Sequence, residues 1–206
     1  MKIIHAIVGR AVLAGGLVAL PLANAWSKAE LPGAPASLID KAFIDDARDW
    51  LSNPVVELSV QSQNKLRKDM SQADIDAADQ QWLAERTADD QPLVAATLTN
   101  PLSSYLTQIQ ARSGGVLAEV FVMDANGLNV GQSSITSDFW QGDEAKFQKT
   151  YPVGIDAIFI DEAEYNEDHD AWLSQLNMTL ADANGAAIGA VTIEINLNEL
   201  ARRRGL

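Results

Sequence analysis

Apolar positions along the chain change their period near residue 115. Before it they recur every three or four residues, the spacing that lays one face of a helix on a core. Leu38, Ala42, Ile44 or Ala47, and Leu51 form the first such series, with Ser37 placed to cap it. Asn53-Pro54 then restarts the pattern, Asn as cap and Pro at the first helical position, through Val55, Leu58, Ser62 and Leu66. Ser71 and Asp74 have the form of a capping box ahead of Ile75, Ala78 and Trp82. Asn100-Pro101 repeats the restart before Leu102, Tyr105, Leu106 and Ile109, and Gly114-Gly115 ends that helix. With a loop around Asp89, Asp90, Gln91 and Pro92, residues 37–113 read as helical, hairpin-like material.

After Gly115 the period shortens to two. "VLAEVFVM" reads as a buried strand, "LNVGQSS" as its partner, and "AIFI" at 157–160 as a brief strand. Leu176, Met178 and Leu180 alternate with Asn177 and Thr179. Val191, Ile193, Ile195 and Leu197 alternate with Thr192, Glu194 and Asn196. Such alternation predicts an antiparallel sheet covered on one face, and the preceding helices are the available cover. The fold class is therefore α+β, with residues 116–200 forming the sheet part. "SDFWQGDEAKFQK" reads as a short helix capped by Ser137 or Asp138, with Phe139, Trp140 and Phe147 toward the core.

One phrase occurs twice: "DANGLNVG" at 124–131 and "DANGAAIG" at 182–189. A calcium loop of EF-hand type needs oxygen ligands at alternating positions and a closing glutamate at the twelfth. The fifth and twelfth positions are Leu128 and Ile135 in one copy and Ala186 and Ile193 in the other, so both fail. A phosphate loop needs a helix immediately after its glycines, and strand-like residues follow here. Asn-Gly between β-patterned runs supplies the positive-φ positions of a hairpin turn. Two hairpins are predicted, 117–123 with 128–133 and 173–181 with 187–197. Gly131 and Gly189 would let a strand bend or approach another chain closely.

Residues 1–25 have the form of a secretory leader: Lys2 and Arg10, the apolar run "AVLAGGLVAL", then Ala23-Asn24-Ala25. About ten apolar residues fall short of the roughly 20 that a spanning helix needs. The expectation is a periplasmic or secreted protein beginning near Trp26, with 26–36 as a lead containing Pro32, Gly33 and Pro35. Without the leader, 13 bases face 28 acids, a formal charge of −15. That field repels phosphate backbones and anionic membranes, so no nucleic-acid partner is expected. Only Arg202, Arg203 and Arg204 are locally basic, and 201–206 reads as a solubilising tail. With no cysteine, the core carries stability without disulfides.

In "VMDANGLNVGQSS" and "LADANGAAIGAVTIEI", following a helical prelude, the chain resembles the single Cache, or PDC-type, extracytoplasmic sensor family over about residues 37–200. The phrase "TSDFWQGDEAKFQKTY" between the hairpins is similar to exported, stand-alone members. The resemblance implies helices packed on an antiparallel sheet of about five strands. It also implies a small-ligand pocket built by the second strand of the first hairpin and the insert after it. Carried over by position, that region offers Ser133, Ser134, Asp138, Trp140, Lys146, Tyr151 and Asp161. It implies further a signalling role through a separate membrane-bound receptor, kinase or cyclase partner, and homodimers formed by the helices of 37–70.

The chemistry of the insert fits a small carboxylate or amino-acid-like molecule. Trp140 offers an apolar wall or cation–π face, Lys146 an anchor, Asp138 an ammonium acceptor and Tyr151 a donor. The same residues also suit plain packing of Phe139, Trp140 and Phe147, with Asp138 as a cap. "DEAEYNEDHDAW" carries six carboxylates and His169 between Asp161 and Asp170. It reads either as a solvated acidic loop or as a weak Ca²⁺ or Mg²⁺ site, which leaves a divalent-cation-binding or acidic interaction module as the alternative function. His169, the one histidine after the leader, makes a poor catalytic or metal centre among carboxylates. With no thiol and no Gly-x-Ser-x-Gly elbow, enzyme chemistry and a cofactor are not expected.

Overall fold

A computed structural model describes residues 35–206; the proposed leader and the lead up to residue 34 lie outside the described residues. Three anticipated side-chain caps each start a helix. Asn53 accepts the Val55 N–H at 3.1 Å to open α2 (Pro54–Arg67), and the Ser71–Asp74 capping box opens α3 (Gln72–Glu85). Asn100 accepts the Ser103 N–H at 2.9 Å to open α5 (Pro101–Arg112). Between the last two, α4 (Pro92–Leu98) is started from outside: the Glu85 carboxylate accepts the Leu93 and Val94 N–H groups at 2.7 and 3.0 Å. The first helix departs from expectation. Ser37 falls in a 3-10 turn, Ala36–Leu38, and Asp40 caps α1 (Lys41–Leu51) by accepting the Phe43 N–H at 3.0 Å. Leu38 and Ile39 are buried, so the chain is pinned before the helix begins.

Six strands form one antiparallel sheet: β1 (Leu117–Met123), β2 (Asn129–Gln132), β3 (Ile158–Ile160), β4 (Glu164–Asn166), β5 (Ala171–Ala181) and β6 (Ala187–Asn196). Five run in the order β2-β1-β6-β5-β3, and β4 pairs with β5 beside β3. The α+β class and the hairpins β1–β2 and β5–β6 are as the alternation predicts. On the inner face Val120, Val122, Leu176, Met178, Val191, Ile193 and Ile195 meet Val56 and Val60 of α2 and Leu102 and Leu106 of α5 in the main core. Gly189 passes against β1 so closely that a Cβ there would lie 2.1 Å from the Met123 carbonyl oxygen, so close approach is its role.

The opposite face is not bare, and this corrects the one-sided sheet. Asn177 and Thr192, placed outward by alternation, are fully buried, with the Thr192 hydroxyl donating to Asn177 Oδ1 at 2.7 Å. Phe147 and Tyr151 of the insert pack there with Phe121, Met123 and Ala190. The insert's helix is also shorter than predicted: α6 spans only Ala145–Gln148. Residues 137–144 are held by competing partners. The Asp138 carbonyl accepts from Thr136 Oγ1, Asn129 Nδ2 and Gln141 Nε2 at 2.7 to 3.1 Å. Asp79 of α3 takes the Phe139 and Trp140 N–H groups at 2.8 and 3.0 Å, and Trp140 bridges to Leu128. With its carbonyls and amides already committed, the segment has no need of a helical ladder.

At the C-terminus the expected tail is instead helix α7 (Leu197–Arg204), capped by Asn196. Glu199 accepts from Arg202 and Arg203, and these bonds hold its carboxyl down to about 2. Among the described residues no helix is long and apolar enough to cross a membrane.

Candidate functional site

The repeated phrase builds the same turn twice. Asp124 Oδ1 accepts the Asn126 and Leu128 N–H groups at 2.9 and 3.1 Å, and Asp182 Oδ1 accepts those of Asn184 and Ala186, both at 2.9 Å. Gly127 and Gly185 sit at φ +80° and +79°, the left-handed region that Asn-Gly turns require. Their surroundings differ. Asp124 is fully buried and its second oxygen meets Arg67 of α2 at 2.7 Å, whereas residues 183–186 are exposed. The first turn is thus a structural joint and the second a surface hairpin.

The insert that these turns bracket encloses, with the second face of the sheet, a half-open cavity of about 660 Å³. Its floor follows from register. Asp161 follows β3 and donates its N–H to the Gln175 carbonyl at 3.0 Å; Gln175 lies opposite Glu194, and Glu194 lies opposite Glu119. Period-two alternation puts these four side chains on one face of the sheet as a polar row, of which Asp161, Gln175 and Glu194 line the cavity and Glu119 lies just beyond its lining. Ser134, just beyond β2, ends the row by donating to Glu119 Oε1 at 2.6 Å. Gln175 Nε2 donates to Glu194 Oε1 at 3.3 Å.

Above the row stands α6. Lys146 reaches Glu144 at 2.9 Å and Gln141 Oε1 at 3.2 Å and lies 5.4 Å from the Phe121 ring centre, its side chain only 14% exposed. Lys149 sits 3.8 Å above the Phe159 ring. Tyr165 of β4 closes the far wall and donates to Asp170 across the hairpin turn. Burial, and then the Glu194 charge opposite, push the Glu119 carboxyl up, against the pull of Ser134, Lys146 and His169. Burial likewise raises Asp161, opposed by Lys149 and Lys146. Like charges directly opposite across a sheet are unfavourable, so Glu119 and Glu194 oppose each other's ionisation.

Of the residues anticipated from sequence, Lys146 and Asp161 line the cavity and Ser134 ends its floor row through Glu119. The others lie elsewhere. Ser133 locks register, its N–H donating to the Val120 carbonyl at 2.8 Å and its Oγ accepting the Val120 N–H at 2.9 Å. Asp138 organises the irregular segment described above. Trp140 packs with Trp82, Leu128 and Phe139 in a second core and donates its indole N–H to the Asn126 carbonyl at 2.8 Å. Tyr151 stacks on Phe147 at 5.4 Å. Sequence reasoning missed Glu119, Gln175 and Glu194. Alternation had placed Glu194 outward, but only strand order aligns it with Glu119 and Gln175. The acidic stretch 161–170 forms the β4–β5 hairpin, and among the described residues no three metal-ligating side chains converge.

The raised Glu119 carboxyl has a consequence for stability. The folded state holds this proton to higher pH than the unfolded chain does. The group's contribution is therefore most favourable at low pH and is lost as pH rises from the unfolded value toward the raised folded one. Glu119→Gln keeps an acceptor for Ser134 and removes the charge. Chemical denaturation should find it more stable than the parent at neutral pH, the gain shrinking in acid. A variant no more stable than the parent at neutral pH would refute this.

No family profile matches the chain, and no curated protein matches it by sequence. Among solved structures it is similar to the ligand-binding domain of a Pseudomonas aeruginosa amino-acid chemoreceptor in complex with GABA, at 12% identity over 73% of this chain and 62% of that one, TM-score 0.35. It is also similar to the extracellular domain of a putative histidine kinase, at 14% identity over 70% and 63%, TM-score 0.41. A Campylobacter jejuni chemoreceptor sensory domain matches at 15% identity over 81% and 65%, TM-score 0.39. The chain spans less than two thirds of the length of these three chains, and scores below 0.5 mark partial overlap of the backbones.

Proposed function

We propose that the protein is an exported sensor or accessory domain that binds a small amino-acid-like or carboxylate molecule in the cavity over the second sheet face, and that it signals through a separate membrane partner. The observation that carries this reading is the cavity itself: Lys146, held by Glu144 and Gln141, faces a floor containing Asp161 and Glu194. Its volume lies within the ~300–1,000 Å³ of small-molecule sites. Some of its polar groups are held by bonds within the protein, Lys146 by Glu144 and Gln141 and Gln175 by Glu194, so a bound molecule would meet charges that need little rearrangement. Ser134, on the strand running out of β2, couples the floor to the first hairpin through Glu119. The sequence resemblance to Cache sensor domains supports the role, and the leader-like residues 1–25 support export.

A thermal-shift screen of amino acids, carboxylates, amines and divalent cations tests the reading. A compound that stabilises the full chain should lose its shift in both Lys146→Ala and Asp161→Asn. Trp140→Ala should lower basal stability and reduce the increment from the compound less than either cavity variant does. Full retention of the shift in both cavity variants would move the site elsewhere.

A further inference from the structure

The charge balance of this cavity says more than its size. Five carboxylates line it against two ammonium groups, Lys146 and Lys149. Lys146 is already matched by Glu144 at 2.9 Å, and Lys149 lies on the Phe159 ring. Among the described residues Glu194 forms no ion pair with a cation. It faces Glu119 across β1–β6 and receives only a neutral amide from Gln175 at 3.3 Å. Glu119 in turn is held by the Ser134 hydroxyl, with Lys146 and His169 near it. Asp161 lies two strand spacings from Glu194, about 10 Å across the sheet. Its own side is flanked by Glu164, Lys146 and Lys149. The floor therefore offers two separated anionic ends with Gln175 between them.

Resting on the reading that this cavity is the ligand site, we infer that it selects ligands by ammonium groups: one seated at Glu194 beside Glu119, and a second, where the ligand has one, at Asp161. A diamine of about five carbons has a length suited to the two ends. A zwitterion would satisfy Glu194 and turn its carboxylate to Lys149. A ligand whose only charge is a carboxylate would meet an excess of like charge and desolvate it without return. Seating an ammonium favours the ionised carboxylates of the floor, so binding weakens as they protonate in acid.

Calorimetric titration of the full chain with 1,5-diaminopentane, 5-aminopentanoate and pentanoate tests this. Affinity should fall in that order, with the diamine at least about tenfold tighter than pentanoate at neutral pH and weaker near pH 5. Glu194→Gln and Asp161→Asn should each cut diamine affinity about tenfold while leaving the fold intact by circular dichroism. Equal or tighter binding of pentanoate overturns the ammonium preference and leaves the cavity reading standing. Diamine binding unaffected by both variants overturns the placement. No binding by either amine overturns the inference, even where the broader screen finds another compound that depends on Lys146.

Discussion

Replacing Asp124 by alanine is expected to destabilise the protein by roughly 3 kcal/mol, because it leaves the partly buried Arg67 without its partner charge. Asp124 is fully buried, and Arg67 is 17% exposed at 2.7 Å from it. The same arginine donates to the Asn129 carbonyl at 3.2 Å and lies 5.2 Å from the Phe139 ring centre. Losing the carboxylate also frees the Asn126 and Leu128 N–H groups inside the turn. Asp182→Ala, in the same four-residue phrase, should cost far less. Backbone bonds, first from Ala186, lower the Asp182 carboxyl, yet it meets no buried charge. Urea denaturation of the two variants checks this directly, and equal losses would refute the division between joint and surface turn.

The second large effect is expected at Trp82. It is fully buried, stacks on Phe139 at 5.2 Å, and donates its indole N–H to the Thr136 carbonyl at 3.1 Å. Deleting so large a core side chain typically costs about 3–5 kcal/mol. Trp82 belongs to the row by which α3 holds the insert: Asp79 takes the Phe139 and Trp140 amides, and Arg86 reaches the Ser137 carbonyl at 2.8 Å. Trp82→Ala should therefore speed amide exchange across 136–141 beyond the global loss, and ligand affinity should fall with it, since this segment carries Gln141, a partner of Lys146. Phe139→Leu should behave as a milder form. Exchange at 136–141 that merely tracks global unfolding would show that α3 does not brace the insert.

Local chemistry carried much of the fold. Asn-Pro restarts and the Ser71 box act within a few residues, so their meaning survives without tertiary context. Alternation in β5 and β6 assigned each side chain to a face correctly, because strand period depends on backbone geometry alone. The Asn-Gly turns were legible for the same reason. Failures occur where a distant partner outbids the local one. Ser137 and Asp138 look like caps, but α3 and Asn129 take the groups a helix would use. Trp140 reads from sequence as either pocket wall or core packing, and the Asn126 carbonyl and the Trp82 cluster hold it in a core.

The two copies of Asp-Ala-Asn-Gly show the boundary between the two kinds of information. Sequence by itself determined that both are turns, since carboxylate-to-amide bonds and a positive-φ glycine lie within four residues. It likewise determined an α+β chain with an insert between two hairpins. Tertiary structure decided that one turn is a buried joint and the other a surface loop, because Arg67 lies 57 residues away from Asp124. It also decided where the candidate site is. Glu119, Glu194 and Gln175 come from three strands and Asp161 from just after a fourth, and only strand order and register set them in one row. Charges far apart along the chain acquire an interaction energy only once folding brings them within a few ångströms in a partly desolvated place.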